Sequence, residues 1–241
     1  MELFQSFWHG ADLPRHGHLC LSSFTAHGDR YRLYAYRKFE VPAGIELADA
    51  SQILPEASVF FYKNPDGTDR SVAAFANLFR YALLNRRGGW WVDTDVLRLD
   101  GPLPEGRLHL GREQNGLIGN AILKTPPVHP LTIALEERAR AAGTDVTWGQ
   151  TGPYLLTRIV EELGLQDEIK PFGVTYRTNY LEYLLATFAE GLEAISQAVT
   201  DAPFLHLWHE MFRFSEHNGL DDPEPGSFLA RQYQAHMPAI S

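Results

Sequence analysis

Apolar positions along the chain recur at two spacings, and the order in which these spacings alternate predicts the architecture. Residues 3–8 form a short apolar run that predicts a strand, and residues 15–26 follow with helical spacing that stops at His27-Gly28. Residues 31–36 alternate apolar and polar sides as a second strand, so the start of the chain reads as a β-α-β unit. Pro42, Gly44, Pro55, Pro65 and Gly67 punctuate residues 37–70, which are expected to be loop with short elements such as 45–47. From Val72 onward Phe75, Leu78, Phe79, Ala82 and Leu83 fall on one helical face. Arg86 and Arg87 suit the negative end of that helix dipole, and Gly88-Gly89 supplies a left-handed stop. A strand over residues 90–96 is predicted to follow at once.

Further strands are expected at 108–110 and 116–123, helices at 130–142 and 153–163, and a long amphipathic helix at 180–198. Residues 220–226 read as a turn before a terminal segment. Strands that alternate with helices predict an α/β fold, a single domain over residues 1–241 with a mixed, mostly parallel sheet.

Composition narrows the function more than the fold. The 241 residues are 44% hydrophobic and carry a formal charge of −9, so a core can form and the basic footprint of a nucleic-acid binder is missing. A small anionic ligand remains compatible with that charge if a divalent cation holds it. Cys20 is the single cysteine, which fits a reducing compartment. The first six residues lack the charged head and apolar core of a signal peptide, and no apolar run approaches the roughly 20 residues a spanning helix needs. The chain is therefore expected to be cytoplasmic without a transmembrane segment, peripheral contact with a membrane staying compatible.

Asp93 and Asp95 are the leading candidates for chemistry. On a strand both would point to one face while Val92 and Thr94 point to the other. Two carboxylates that close repel unless a cation or a proton sits between them, which suits a hard ion such as Mg2+ or Mn2+. Position supports this, because open α/β sheets bind ligands at the carboxyl ends of strands. Asn77 and Arg80 lie three residues apart on the side of the preceding helix away from its apolar stripe, where both could face the same cleft. The planar fork of Arg80 suits phosphate or sugar hydroxyls. His16 and His18 have no partner cluster in the sequence and read as surface residues.

The stretch Phe75-Ala76-Asn77-Leu78-Phe79-Arg80-Tyr81-Ala82-Leu83-Leu84, followed by Gly88-Gly89-Trp90-Trp91-Val92-Asp93-Thr94-Asp95, resembles the glycosyltransferase sugar-binding region that contains a DXD motif. This is a family 32-like group that includes yeast initiating mannosyltransferases, α-1,4-galactosyltransferases and bacterial capsular polysaccharide transferases. The resemblance implies a GT-A type fold, Mn2+ (or Mg2+) as cofactor, and transfer of a hexose from a UDP- or GDP-sugar to a glycan or glycolipid acceptor with retention of configuration. Residues 1–100 would be the nucleotide-sugar-binding half, 101–219 the acceptor side and lid, and 220–241 the terminal segment. Carried over residue by residue, Asp95 would coordinate the metal, Asp93 would contact donor and metal, and Arg80 would bind the donor sugar. Asn77 stands where many relatives have an aspartate. Phe7-Trp8-His9-Gly10 would lie beside the nucleotide base, making Trp8 a stacking candidate. His206 with Trp208 resembles a segment that supplies a third metal ligand and an aromatic lid, with His209 and Glu210 competing for the ligand role. Gly119-Asn120 and Gln150-Thr151-Gly152-Pro153 are candidates for acceptor contacts.

Two other readings use the same residues. A strand that ends in Asp-x-Asp also opens the haloacid-dehalogenase phosphatase motif, with Asp93 as nucleophile and Asp95 as acid or base. Asn77 also fits a carbohydrate-binding relative without catalysis.

Overall fold

Successive strand residues point to opposite faces, and the two tryptophans after Gly89 divide the protein into two layers accordingly. In the computed structural model, which describes residues 2–63, 69–212, 215, 217 and 219–237, Trp90 packs with Phe4, Phe24 and Phe204 on one face of a sheet. Trp91 packs with Phe7, Phe79 and Leu123 on the other.

The strands are β1 (Leu3–Phe7), β2 (Arg30–Ala35), β3 (Ile45–Asp49), β4 (Tyr62–Lys63), β5 (Asp69–Ser71), β6 (Gly89–Val92), β7 (Val96–Arg98), β8 (His109–Arg112), β9 (Ile118–Thr125), β10 (Ile169–Lys170) and β11 (Phe204–His206). The helices are α1 (Arg15–Ala26), α2 (Ala73–Arg87), α3 (Pro130–Ala141), α4 (Pro153–Glu162), α5 (Leu192–Ala198), α6 (His209–Phe212) and α7 (Phe228–His236). Seven strands form the main sheet in the order β10-β8-β9-β6-β1-β2-β3. Parallel pairing joins β3, β2, β1 and β6, and also β8 and β10, while β9 runs antiparallel to both neighbours. The sheet is thus mixed and mostly parallel, as the alternating pattern predicts.

Helix α1 covers the Trp90 face and α2 covers the Trp91 face, so the chain winds in opposite directions from the β1–β6 pair. Such a switch leaves a crevice at the carboxyl ends of the two strands. Helix α2 reaches β6 through Gly88, whose φ of 62° favours glycine and whose absent Cβ would come within 2.5 Å of Pro127. Among the described residues no helix is long and apolar enough to cross a membrane.

Several expectations change. The strand expected over 90–96 is two strands: Asp93, Thr94 and Asp95 form a turn closed by Val96 N–H donating to the Asp93 carbonyl at 3.1 Å. Beyond it β7 leaves the main sheet and pairs antiparallel with β11. The long helix expected over 180–198 is 3-10 turns at Tyr180–Glu182 and Ala189–Gly191 followed by the short α5. Thr187 Oγ1 bonds back to the Leu184 carbonyl at 2.8 Å, and the backbone at Gly191 approaches the Leu185 carbonyl so closely that a side chain would not fit. Within residues 37–70 the short element expected at 45–47 is β3, paired with β2, while β4 and β5, which were not expected, pair antiparallel; Pro65 and Gly67 lie outside the described residues. The terminal segment carries α7, begun by Ser227 Oγ accepting from Ala230 N–H at 3.2 Å. His16 is 3% exposed, where surface was expected, because Asp221 Oδ1 meets its Nδ1 at 2.8 Å.

Candidate functional site

The turn after β6 brings two carboxylates together at the crevice, by a bend and not by strand alternation. Asp93 N–H donates to the Ala121 carbonyl at 2.8 Å, which fixes the start of the turn against β9. Leu207 N–H donates to the Asp95 carbonyl at 2.9 Å, which extends the β7–β11 pairing into the turn. In that pairing His206 stands opposite Val96, so its ring comes to lie beside the preceding residue, Asp95. His206 Nε2 is 3.3 Å from Asp95 Oδ2. Ligand atoms of Asp93, Asp95 and His206 all lie within 4.8 Å of one another.

Each member is held separately. Asp93 Oδ1 accepts from Arg80 Nη2 and from Trp91 Nε1, both at 2.6 Å. These bonds occupy one carboxylate oxygen and leave the second as the one able to reach a ligand. Asp95 Oδ2 accepts the His209 backbone N–H at 2.9 Å. Burial alone would raise the Asp95 carboxyl, but His206 and then His209 outweigh it and hold Asp95 well below the usual carboxylate range. Burial pulls the His206 imidazole down, and Asp95, Asp93 and Glu113 more than reverse this, so it lies above its ordinary value.

Behind the carboxylates stands a buried polar chain. Arg80 is 3% exposed, with Nη1 donating to Asn77 Oδ1 at 2.5 Å and the guanidinium centred 4.7 Å from the Trp91 ring. Asn77 Oδ1 also accepts from Asn120 Nδ2 at 2.8 Å, and Asn77 Nδ2 donates to Thr151 Oγ1 at 3.4 Å. Asn77 and Arg80 therefore share the side expected from their spacing, but they lie inside the protein and hold each other.

Trp208 packs against His206 with ring centroids 4.2 Å apart and ring planes tilted by 44°, from a backbone φ of 56° that is costly for a tryptophan, on the order of 1–3 kcal/mol. Tyr176 backs both rings at 6.0 Å. His206 Nδ1, Trp208 Nε1 and Arg80 Nε are buried and make no hydrogen bond among the described residues. Two carboxylates and an imidazole are a donor set that could hold a divalent metal ion. Of the candidates for third ligand, His206 joins the cluster; His209 gives Asp95 its backbone N–H and sets its ring 4.5 Å from that of His16.

Trp8 does not join this cluster. It follows β1, donates from Nε1 to the Asp12 carbonyl at 3.0 Å, and lines a separate cavity of about 120 Å3 with Tyr36, Arg37 and Glu56. Sequence reasoning missed Trp91, although two residues before Asp93 on a strand is the spacing that shares a face. It also missed Glu113, a carboxyl raised by burial, and Tyr176, for which no local pattern gives a signal.

No protein-family model matches the chain. No curated protein matches it either. Among solved structures it is similar to the PaToxG glycosyltransferase, with 14% identity over 82% of this chain and 78% of that one and a TM-score of 0.49. It is similar also to the UDP-bound glycosyltransferase domain from the YGT toxin, with 10% identity over 71% and 79% and a TM-score of 0.49. The ligand-free domain from that toxin gives 10% identity over 76% and 85% and a TM-score of 0.47.

Proposed function

We propose that this chain is a metal-dependent glycosyltransferase of GT-A type that moves a hexose from a UDP- or GDP-sugar to a glycan or glycolipid acceptor with retention of configuration. The observation that carries the reading is the convergence of Asp93, Asp95 and His206 within 4.8 Å at the crevice between the sheet's two winding directions. The resemblance of residues 75–95 to the DXD-containing region supports the same reading. Mn2+ or Mg2+ would be held by Asp95, His206 and the outer oxygen of Asp93, and would neutralise charge on the departing nucleoside diphosphate.

The chain's own residues then divide the remaining work. Arg80 and Trp91 hold Asp93 in one orientation, so that its second oxygen is preset toward metal and donor. Asn77 holds Arg80 in turn and is itself held by Asn120, and the Arg80 guanidinium would bind the donor sugar, as the resemblance of residues 75–95 implies. The Trp208 ring, tilted against His206, would help to exclude water from the metal side of the site. Trp8 would stack on the nucleotide base at the end of β1. With no enzymic nucleophile assigned, the acceptor hydroxyl would attack on the face the leaving group vacates. The reaction would take place in the cytoplasm, at a membrane surface where the acceptor is a glycolipid.

A screen of UDP- and GDP-sugars for Mn2+-dependent release of nucleoside diphosphate tests this. Release with one donor supports the reading. Phosphate release from phosphomonoesters with Mg2+ and no donor turnover would replace it with the phosphatase, and donor binding without release would replace it with the non-catalytic carbohydrate binder.

A further inference from the structure

A second cavity, of about 340 Å3, lies between α3, α4 and the loop that joins α3 to α4. That volume is within the range of roughly 300–1,000 Å3 usual for small-ligand sites. Trp148 and Tyr154 line it and are 56% and 53% exposed, with ring planes at 86° and centroids 6.4 Å apart. The loop is built to present them. Gly149, at φ of 77°, has no side chain, and a Cβ there would lie 2.7 Å from the Tyr154 ring. Tyr154 and Gly152 N–H groups both donate to the Gly149 carbonyl, at 3.3 and 3.0 Å, while Gln150 Oε1 accepts from the Thr147 N–H at 3.0 Å.

The charged side chains that line this cavity are Arg138 and Arg158. Glu162 stands 3.2 Å from Arg138 and 3.7 Å from Arg158, one carboxylate between two guanidiniums. The cavity therefore keeps positive charge in a chain of net charge −9. Its inner wall is Thr151, the residue that meets Asn77 through Oγ1 and Tyr81 through its carbonyl. The cavity and the carboxylate cluster are thus on two sides of one hydrogen-bonded chain.

We propose that this cavity binds a hexuronate unit of an acidic glycan. The apolar face of the pyranose would lie on Trp148, with the perpendicular Tyr154 ring against its edge, and its carboxylate would meet Arg158 and Arg138, whose planar forks match a carboxylate in two bonds. A right-angled aromatic corner with guanidiniums at its rim serves a ring that is apolar on its faces and anionic at its edge. Binding does not depend on the glycosyltransferase reading; that the bound glycan is the acceptor rests on it.

Calorimetric titration of the full chain with tetragalacturonate and tetramannuronate, each to millimolar concentration, tests the proposal beside maltotetraose and inorganic phosphate. At least one uronate should bind five times or more tighter than maltotetraose. Trp148→Ala and Arg158→Ala, both at exposed side chains, should each weaken it fivefold or more. Failure of both uronates, equal binding of maltotetraose, binding of phosphate alone, or binding that survives Trp148→Ala would overturn it. If uronate binds but no nucleotide-sugar is turned over, the cavity assignment stands and the transferase reading fails; the opposite pair of results separates them the other way.

Discussion

His206 Nε2 lies 3.3 Å from Asp95 Oδ2 because β11 pairs with β7 so that His206 stands opposite Val96. A pairing between distant parts of the chain thus completes what the Asp93-Thr94-Asp95 turn begins. Replacing His206 by Ala removes one of three ligands and should weaken Mn2+ binding on the order of tenfold or more, a loss of the size seen when groups that support a metal site are removed. Electron paramagnetic resonance titration of free Mn2+ reads this directly. Wild-type affinity in His206→Ala would mean that His206 serves Asp95 only as a counter-ion.

Arg80 joins Asp93 and Asn77 from a position that is 3% exposed. Arg80→Ala leaves two acceptors facing a void and should lower the unfolding free energy by about 3 kcal/mol. Arg80→Lys keeps the charge without the fork and should recover less than half of that loss. Urea unfolding of the two variants measures both. An Arg80→Ala protein as stable as wild type would show that the buried chain does not contribute to the fold.

Asn77 separates charge from shape. Its Oδ1 already accepts from Arg80 and Asn120, so Asn77→Asp retains both bonds and should stay within about 1 kcal/mol of wild type. Asn77→Leu leaves both donors unpaired and should cost about 2 kcal/mol. Thermal unfolding distinguishes the two; equal losses would mean that the site tolerates no change of any kind at this position.

Much of the fold was legible because periodicity reports burial. The β-α-β start, helix α2 and its Gly-Gly stop, and the strand bearing Trp90 and Trp91 follow from local spacing alone. The break after Val92 was not legible, since the turn is stabilised by Ala121 and Leu207, which are remote in sequence. The same reason explains His16, whose partner Asp221 comes from the other end of the chain. The helix expected over 180–198 failed because its spacing is helical while Gly191 and Thr187 fold the backbone back on itself. Asp93, Asp95, Arg80 and Asn77 were found as residues, but their connection was not: the sequence suggests groups that face a ligand, and the structure has Arg80 and Asn77 bonded to each other.

His109 provides a pH test away from the carboxylates. It is packed 5.1 Å from the Trp90 ring, with Nε2 2.9 Å from Thr175 Oγ1, and burial, with Lys170 and Lys124 adding, lowers its pKa from 6.5 to about 4. Below 6.5 the unfolded chain takes up a proton that the folded chain refuses until about 4, so stability falls as pH drops through that window and is unaffected above it. The loss should reach about 3 kcal/mol. His109→Gln should flatten the difference in melting temperature between pH 7 and pH 4.5. An unchanged difference would assign the acid sensitivity to other groups.

The most direct test of the account as a whole is Mn2+-dependent release of nucleoside diphosphate from the donor that the screen identifies, compared between wild type and Asp95→Asn. Wild type should release the diphosphate in a reaction that chelation abolishes and Mn2+ restores, and Asp95→Asn should lose on the order of a hundredfold or more, the scale on which transition-state charge stabilisation is removed. Full Mn2+-dependent turnover by Asp95→Asn, or release by wild type that chelation leaves intact, would contradict it.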